Sequence, residues 1–138
     1  MSIRYDSINE GDALPVLAKP AITQLQLIRY AGASGDFNPI HTIPEYAREA
    51  GLDGTIAHGM LIMGILGQMI SDWAGVKNVV KYGVSFKNIT RPGDVLSAKG
   101  SVKRKYELDG RKLVDCAVHV EDAKGEIKVE GKATISAE

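Results

Sequence analysis

Apolar residues recur along this chain with two different periods. In the first half they follow helical spacing. Thr23, three residues ahead of Gln26 and followed by Leu27, Ile28 and Ala31, has the form of a capping box that opens a helix over residues 23–33. Thr42 with Glu45 three residues on, Pro44 in the first turn and Gly51 as a stop marks a second short helix. Over residues 59–73 apolar side chains cover nearly the whole circumference, broken only by Gln68, Ser71 and Asp72, so this helix is enclosed on several sides. Gly64 and Gly67 each weaken it by up to about 1 kcal/mol relative to alanine. Tight packing of the helix backbone against a sheet explains that cost; close approach of a ligand is the alternative.

After Gly75 the period changes to two. Val80, Tyr82, Val84 and Phe86 fall on one face and Lys81, Gly83, Ser85 and Lys87 on the other, the pattern of a half-buried strand. Arg91-Pro92-Gly93-Asp94 reads as a turn, residues 95–106 as a second strand, and Asp109-Gly110 as a tight hairpin into a third strand over 112–121. Ala123-Lys124-Gly125 then turns the chain into a last strand with Ile127, Val129, Ala133 and Ile135 alternating. The second half is expected to be an antiparallel meander, with residues 3–17 adding an edge strand. One long buried helix against an antiparallel sheet of about five strands is an α+β layer architecture. No repeat, low-complexity tract or linker divides the 138 residues, so a single domain over 1–138 is expected.

Charge and composition then narrow the function. Seventeen basic and seventeen acidic side chains cancel, which removes the global field that draws a protein to nucleic acid or anionic membrane. The one cysteine, Cys116, forms no internal disulfide and alternates with Val114, Val118 and Val120 as a buried apolar residue would. The N-terminal residues carry no apolar stretch of the length a secretory signal needs, and the most apolar run, 60–70, is shorter than the ~20 residues that cross a bilayer. A cytoplasmic location is the expectation. Lys103-Arg104-Lys105 reads as a solvated strand edge, with contact to a phosphate or an acidic carrier as the alternative.

The segment with the most chemistry runs Gly35-Asp36-Phe37-Asn38-Pro39-Ile40-His41. It sets a carboxylate and an imidazole on a loop stiffened by Pro39 and held between two helices, as acid–base chemistry requires. Spacing alone leaves a second reading open, with Asp36 as a turn former and His41 as a residue ahead of a helix. Ala57-His58-Gly59 lies at the start of the apolar helix, where unpaired N–H groups and the positive end of the dipole meet. Gly59 has no side chain to keep a ligand carbonyl from its N–H, as an oxyanion site requires. His58 reads first as a structural histidine bonded to nearby backbone. No clustered set of metal ligands with plausible spacing is evident, so neither metal nor other cofactor is expected.

These residues resemble the signature of the MaoC-like, or R-specific enoyl-CoA hydratase, family of hotdog proteins. The family pattern runs Gly-Asp-x-Asn-Pro-x-His and later His-Gly-Met. Gly35, Asp36, Asn38, Pro39 and His41 match it, as do His58, Gly59 and Met60. The resemblance implies a single hotdog fold and a hydro-lyase that adds water, syn and reversibly, to a trans-2-enoyl thioester of coenzyme A or acyl-carrier protein. Asp36 and His41 would be the catalytic pair, Asn38 would orient their loop, and Gly59 with His58 would bind the thioester oxygen. It also implies a homodimer or higher oligomer, or a heterodimer. Gly64 departs from the serine that some hydratases of the family set against the catalytic carboxylate. In this and in length the chain is similar to the catalytic subunits of mycobacterial-type 3-hydroxyacyl-carrier-protein dehydratases. The alternatives are a hotdog thioesterase and a non-catalytic acyl-binding subunit of a heterodimer.

Overall fold

The computed structural model describes residues 3–138; Met1 and Ser2, part of the expected single domain, lie outside the described residues. Helix α1 (Gln24–Ser34) starts where the capping box placed it. Thr23 is extended and its side-chain oxygen accepts the Gln26 N–H at 3.1 Å. The helix stops at Gly35, whose φ of 77° lies in the left-handed region and whose N–H returns to the Ala31 carbonyl, a glycine C-cap. Helix α2 (Pro44–Glu49) departs from expectation at its start: Ile43, not Thr42, is the cap, with no side-chain hydrogen bond. Thr42 instead closes a 3₁₀ turn, Pro39–His41, by donating its N–H to Pro39. Its backbone is committed to that turn and cannot adopt the extended cap conformation.

Helix α3 (Gly59–Ala74) buries Ile62, Ile65, Leu66, Met69 and Ile70 against strands from both halves of a five-stranded sheet. The strands are β1 (Leu17–Ala18), β2 (Val79–Phe86), β3 (Ser97–Leu108), β4 (Arg111–Glu121) and β5 (Ile127–Ser136). All pairings are antiparallel and the order is β1-β3-β4-β5-β2. The hairpin at Asp109 (φ 51°) and Gly110 (φ 75°) has the two positive φ values of a type I′ turn.

The expected meander holds for β3, β4 and β5 only. Strand β2 pairs with β5, so segment 87–96 crosses the end of the sheet before β3 begins. That segment is longer than any hairpin loop, which frees β2 and β3 from being neighbours. Two of the three register shifts in the sheet break the alternation expected of β2 and β5. A register shift between Val79 and Lys81 turns Val79 toward the core and leaves Val80 43% exposed. A second, where Val120 faces Val129 but Glu121 faces Ile127, buries Lys128 beside Val129. Each extra residue re-aims its neighbours.

Of the two helix glycines, Gly67 follows the tight-packing reading only in part: it lies against Tyr82, but a Cβ there would make an ordinary 3.5 Å contact with that ring, whose hydroxyl donates to the Met63 carbonyl at 2.7 Å. Gly64 does not match it, since no atom lies within 4 Å of the equivalent position. Among the described residues no helix is long and apolar enough to cross a membrane.

Candidate active site

The loop after α1 is built from short side chain to backbone bonds that fix Asp36 before any tertiary contact is made. Asp36 N–H donates to Ser34 Oγ at 3.1 Å, Asn38 N–H to Asp36 Oδ1 at 3.2 Å, and Ile40 N–H to Asn38 Oδ1 at 3.2 Å. These are successive Asx and Ser turns. Pro39 then sets the 3₁₀ turn that delivers His41. Asn38 thereby caps the 3₁₀ turn that follows it.

His41 is held from outside the motif. Its carbonyl accepts from Gln24 Nε2 at 2.8 Å, and Gln24 in turn accepts from the Thr55 hydroxyl. Its Nδ1 lies 2.7 Å from the Ile56 carbonyl. A carbonyl only accepts, so Nδ1 carries the proton and, in the neutral ring, Nε2 presents a lone pair. That Nε2 lies 3.8 Å from Asp36 Oδ2. The His41 side chain is 9% exposed, whereas the Asp36 side chain is 53% exposed. The gap is too long for a direct hydrogen bond, and it lets one water molecule off the line touch both groups.

His58 lies beneath this pair. Its ring stacks on His41 with centroids 3.7 Å apart and planes 22° apart, and Tyr30 meets it edge-on at 4.8 Å. His58 Nε2–H donates to the Asp36 carbonyl at 3.1 Å. Burial, first, and the neighbouring His41 hold its pKa below the usual histidine value against the opposing pull of Asp36. The His58 ring thus packs on His41 and holds the Asp36 main chain. Gly59, which opens α3, carries one of the first-turn N–H groups that have no partner within a helix. The space its side chain would take is occupied by the Phe86 ring, 3.0 Å from where a Cβ would lie. The glycine therefore admits that ring as well as baring the amide.

The fold corrects the expectation that no metal ligands cluster: Asp36, His41 and His58 bring one ligand atom each within 4.8 Å of the others. The donor geometry does not fit an ion. Two stacked imidazoles send their in-plane lone pairs along parallel lines, so one ion cannot lie in both ring planes at the ~2.0–2.1 Å of a metal–nitrogen bond. Cys116 is buried and unpaired, and burial, with Asp115 beside it, pushes its thiol pKa up to about 12. It is no nucleophile at neutral pH. On β3, Arg104 covers the Tyr106 ring and pairs with Asp115, while Lys105 covers Tyr5.

Four residues outside the motifs also bear on the site: Gln24, Thr55, Thr90 and Lys128. Thr90 accepts the Ala57 N–H on its carbonyl at 2.8 Å, next to His58. Lys128, 3% exposed, donates to the Ile89 carbonyl at 2.9 Å and to Glu126 at 2.7 Å, with Asp94 and Asp122 within 3.6 Å. Those three carboxylates outweigh its burial and hold its pKa above the usual lysine value.

Residues 12–124 match the family described as MaoC like domain. The chain belongs to that family. The MaoC-like chain is 31% identical over 134 residues to the fatty acid synthase subunit beta of Saccharomyces cerevisiae, covering 92% of this chain and 6% of that protein. It is 32% identical over 109 residues to enoyl-CoA hydratase ChsH3 of Mycobacterium tuberculosis, covering 77% of this chain and 34% of the relative. The chain thus spans a minor part of both curated relatives. Its fold superposes on R-hydratase PhaJ1 of Pseudomonas aeruginosa with a TM-score of 0.84 at 27% identity, covering 99% of this chain and 86% of that one. The MaoC-like domain is a hotdog fold, a curled antiparallel sheet around α3.

Proposed function

We propose that this chain is a single MaoC-like domain that reversibly adds water across trans-2-enoyl thioesters to give (R)-3-hydroxyacyl thioesters. The observation that carries the reading is the pairing of a half-exposed carboxylate with a nearly buried imidazole whose free Nε2 faces it across 3.8 Å. A water molecule bound between Asp36 and His41 attacks C3. The pair takes one proton from that water and returns one to C2, so the water ends as hydroxyl on C3 and hydrogen on C2. Both groups face the substrate from the side on which the water is held, so the addition is syn. Negative charge that gathers on the thioester oxygen as the enolate forms is met by the Gly59 N–H at the start of α3. Asn38 and His58 keep the pair in place.

The acyl group is carried on coenzyme A or acyl-carrier protein, and the working unit is at least a homodimer. The unpaired buried thiol of Cys116 suits a reducing compartment such as the cytoplasm. Crotonyl-CoA tests the reading directly. Loss of the conjugated enoyl-thioester absorbance with no free thiol released is the expected result. Thiol release would select thioester hydrolysis, and a bound but unchanged substrate would select an acyl-binding subunit.

A further inference from the structure

Two buried side-chain polar atoms among the described residues have no hydrogen-bond partner: Nδ1 of His58 and Oγ1 of Thr90. Their residues are 2% and 3% exposed. An unsatisfied polar atom costs about 1–3 kcal/mol when buried, so each calls for a partner. The two are chemically complementary. Because His58 Nε2 faces the Asp36 carbonyl at 3.1 Å, its proton is on Nε2 and Nδ1 is a bare lone pair. Thr90 has a hydroxyl hydrogen to give. They are also neighbours along the backbone contacts, since the Thr90 carbonyl takes the N–H of Ala57, the residue before His58.

We propose that Thr90 is a positioning residue for the catalytic pair, its hydroxyl donating to His58 Nδ1 through one bound water. This rests on the hydratase reading of Asp36 and His41. The Asp36 carbonyl already keeps the proton on His58 Nε2. A donor at Nδ1 adds the second anchor: held at both nitrogens, the ring cannot turn in its pocket and stays flat against His41. With Nδ1 left unengaged, a buried lone pair is unsatisfied and the ring is held at one nitrogen only. The bond to the Asp36 main chain then loosens, and the carboxylate on the same residue loses its fixed relation to His41.

The segment that carries Thr90 is itself anchored. The N–H groups of Lys87 and Asn88 both reach the Lys128 carbonyl, and Asn88 Nδ2 reaches that of Ile127. The Lys128 ammonium holds the Ile89 carbonyl. Beyond Thr90, Arg91 pairs with Asp53 at 2.8 Å. Thr90 is thus the one residue of this crossing segment whose side chain is free to serve His58 while the backbone on either side is tied down.

Thr90→Val and Thr90→Ser test the contact, Val keeping the shape and Ser the hydroxyl. Imidazole ¹⁵N resonances of His58 report hydrogen bonding at each ring nitrogen with no need of activity. In Thr90→Val the Nδ1 and Nε2 signals are expected to shift, with kcat down about tenfold, the scale of one lost hydrogen bond, and KM nearly unchanged. Thr90→Ser should restore both. Unchanged ring signals in Thr90→Val overturn the contact. Shifted signals with wild-type kcat overturn the positioning role. A wild-type protein with no hydratase activity would sink the functional reading instead, and the ring signals would still report on the contact.

Discussion

At the scale of single residues, the proposed site joins two reacting groups, Asp36 and His41, to the residues that hold them. Asp36→Asn and His41→Gln remove a positioned acid or base and should each lower kcat by about 10²–10⁴-fold. In the proposed mechanism both hold the same water, so the double variant should be little slower than the worse single one. A folded single variant with near wild-type hydration of crotonyl-CoA would refute the assignment. His58→Gln should cost less, since its ring reaches the reaction only through Asp36 and His41.

The same burial gives His58 a pH signature. Its folded pKa lies below the unfolded value of 6.5, so between the two the unfolded chain binds a proton that the folded chain refuses. The stability His58 contributes is therefore complete above pH 6.5 and is lost as pH falls through that value toward the folded pKa. Melting temperatures from pH 8 to pH 5 should fall more steeply for the wild type than for His58→Gln; parallel curves would contradict the shift. That Asp36, Asn38, His41 and His58 belong to one candidate site was legible in the sequence, because local turns and two short motifs carry them. Gln24, Thr55 and Thr90 were not. They reach the site from other elements and act partly on main-chain carbonyls, which have no side-chain signature.

At the scale of elements, capping chemistry was legible to the residue for α1 and for the hairpin at Asp109-Gly110. It failed at Thr42, where a preceding turn had already set the backbone. The bulges in β2 and β5 left no mark in the alternation of apolar residues, and with them went the burial of Lys128. That lysine joins the β4–β5 turn, through Asp122 and Glu126, to the crossing segment, through Ile89 and Asp94. Lys128→Met keeps the stem but leaves three carboxylates facing one another without a cation. Removing one partner of a buried ionic group costs about 3–5 kcal/mol, and because Glu126 is half exposed the lower end applies. Denaturant unfolding should show that loss, with Lys128→Arg recovering most of it. A Met variant as stable as the wild type would mean that packing, not charge, ties the segment down.

At the scale of the whole molecule, the sheet has two unequal edges. Strand β1 is a two-residue edge, short enough to offer little to another chain, whereas β2 runs the full length Val79–Phe86 with one side unpaired. A long edge with little charge is a template for pairing, and Lys81 is the only charged residue in β2. Val80 and Phe86 add apolar side chains 43% and 54% exposed. A second copy related by a two-fold axis would place β2 against β2 and satisfy both β2 edges at once. The expected meander did not place β2 beyond β5; the oligomer itself was expected from the sequence. Sedimentation at micromolar concentration should therefore give twice the mass of the chain. Val80→Lys, at a position exposed in the single chain, should shift the protein toward monomer by setting like charges close across the two-fold axis, with little loss of melting temperature per chain. A wild-type protein that sediments as a monomer with full activity would show that β2 is protected by some other means.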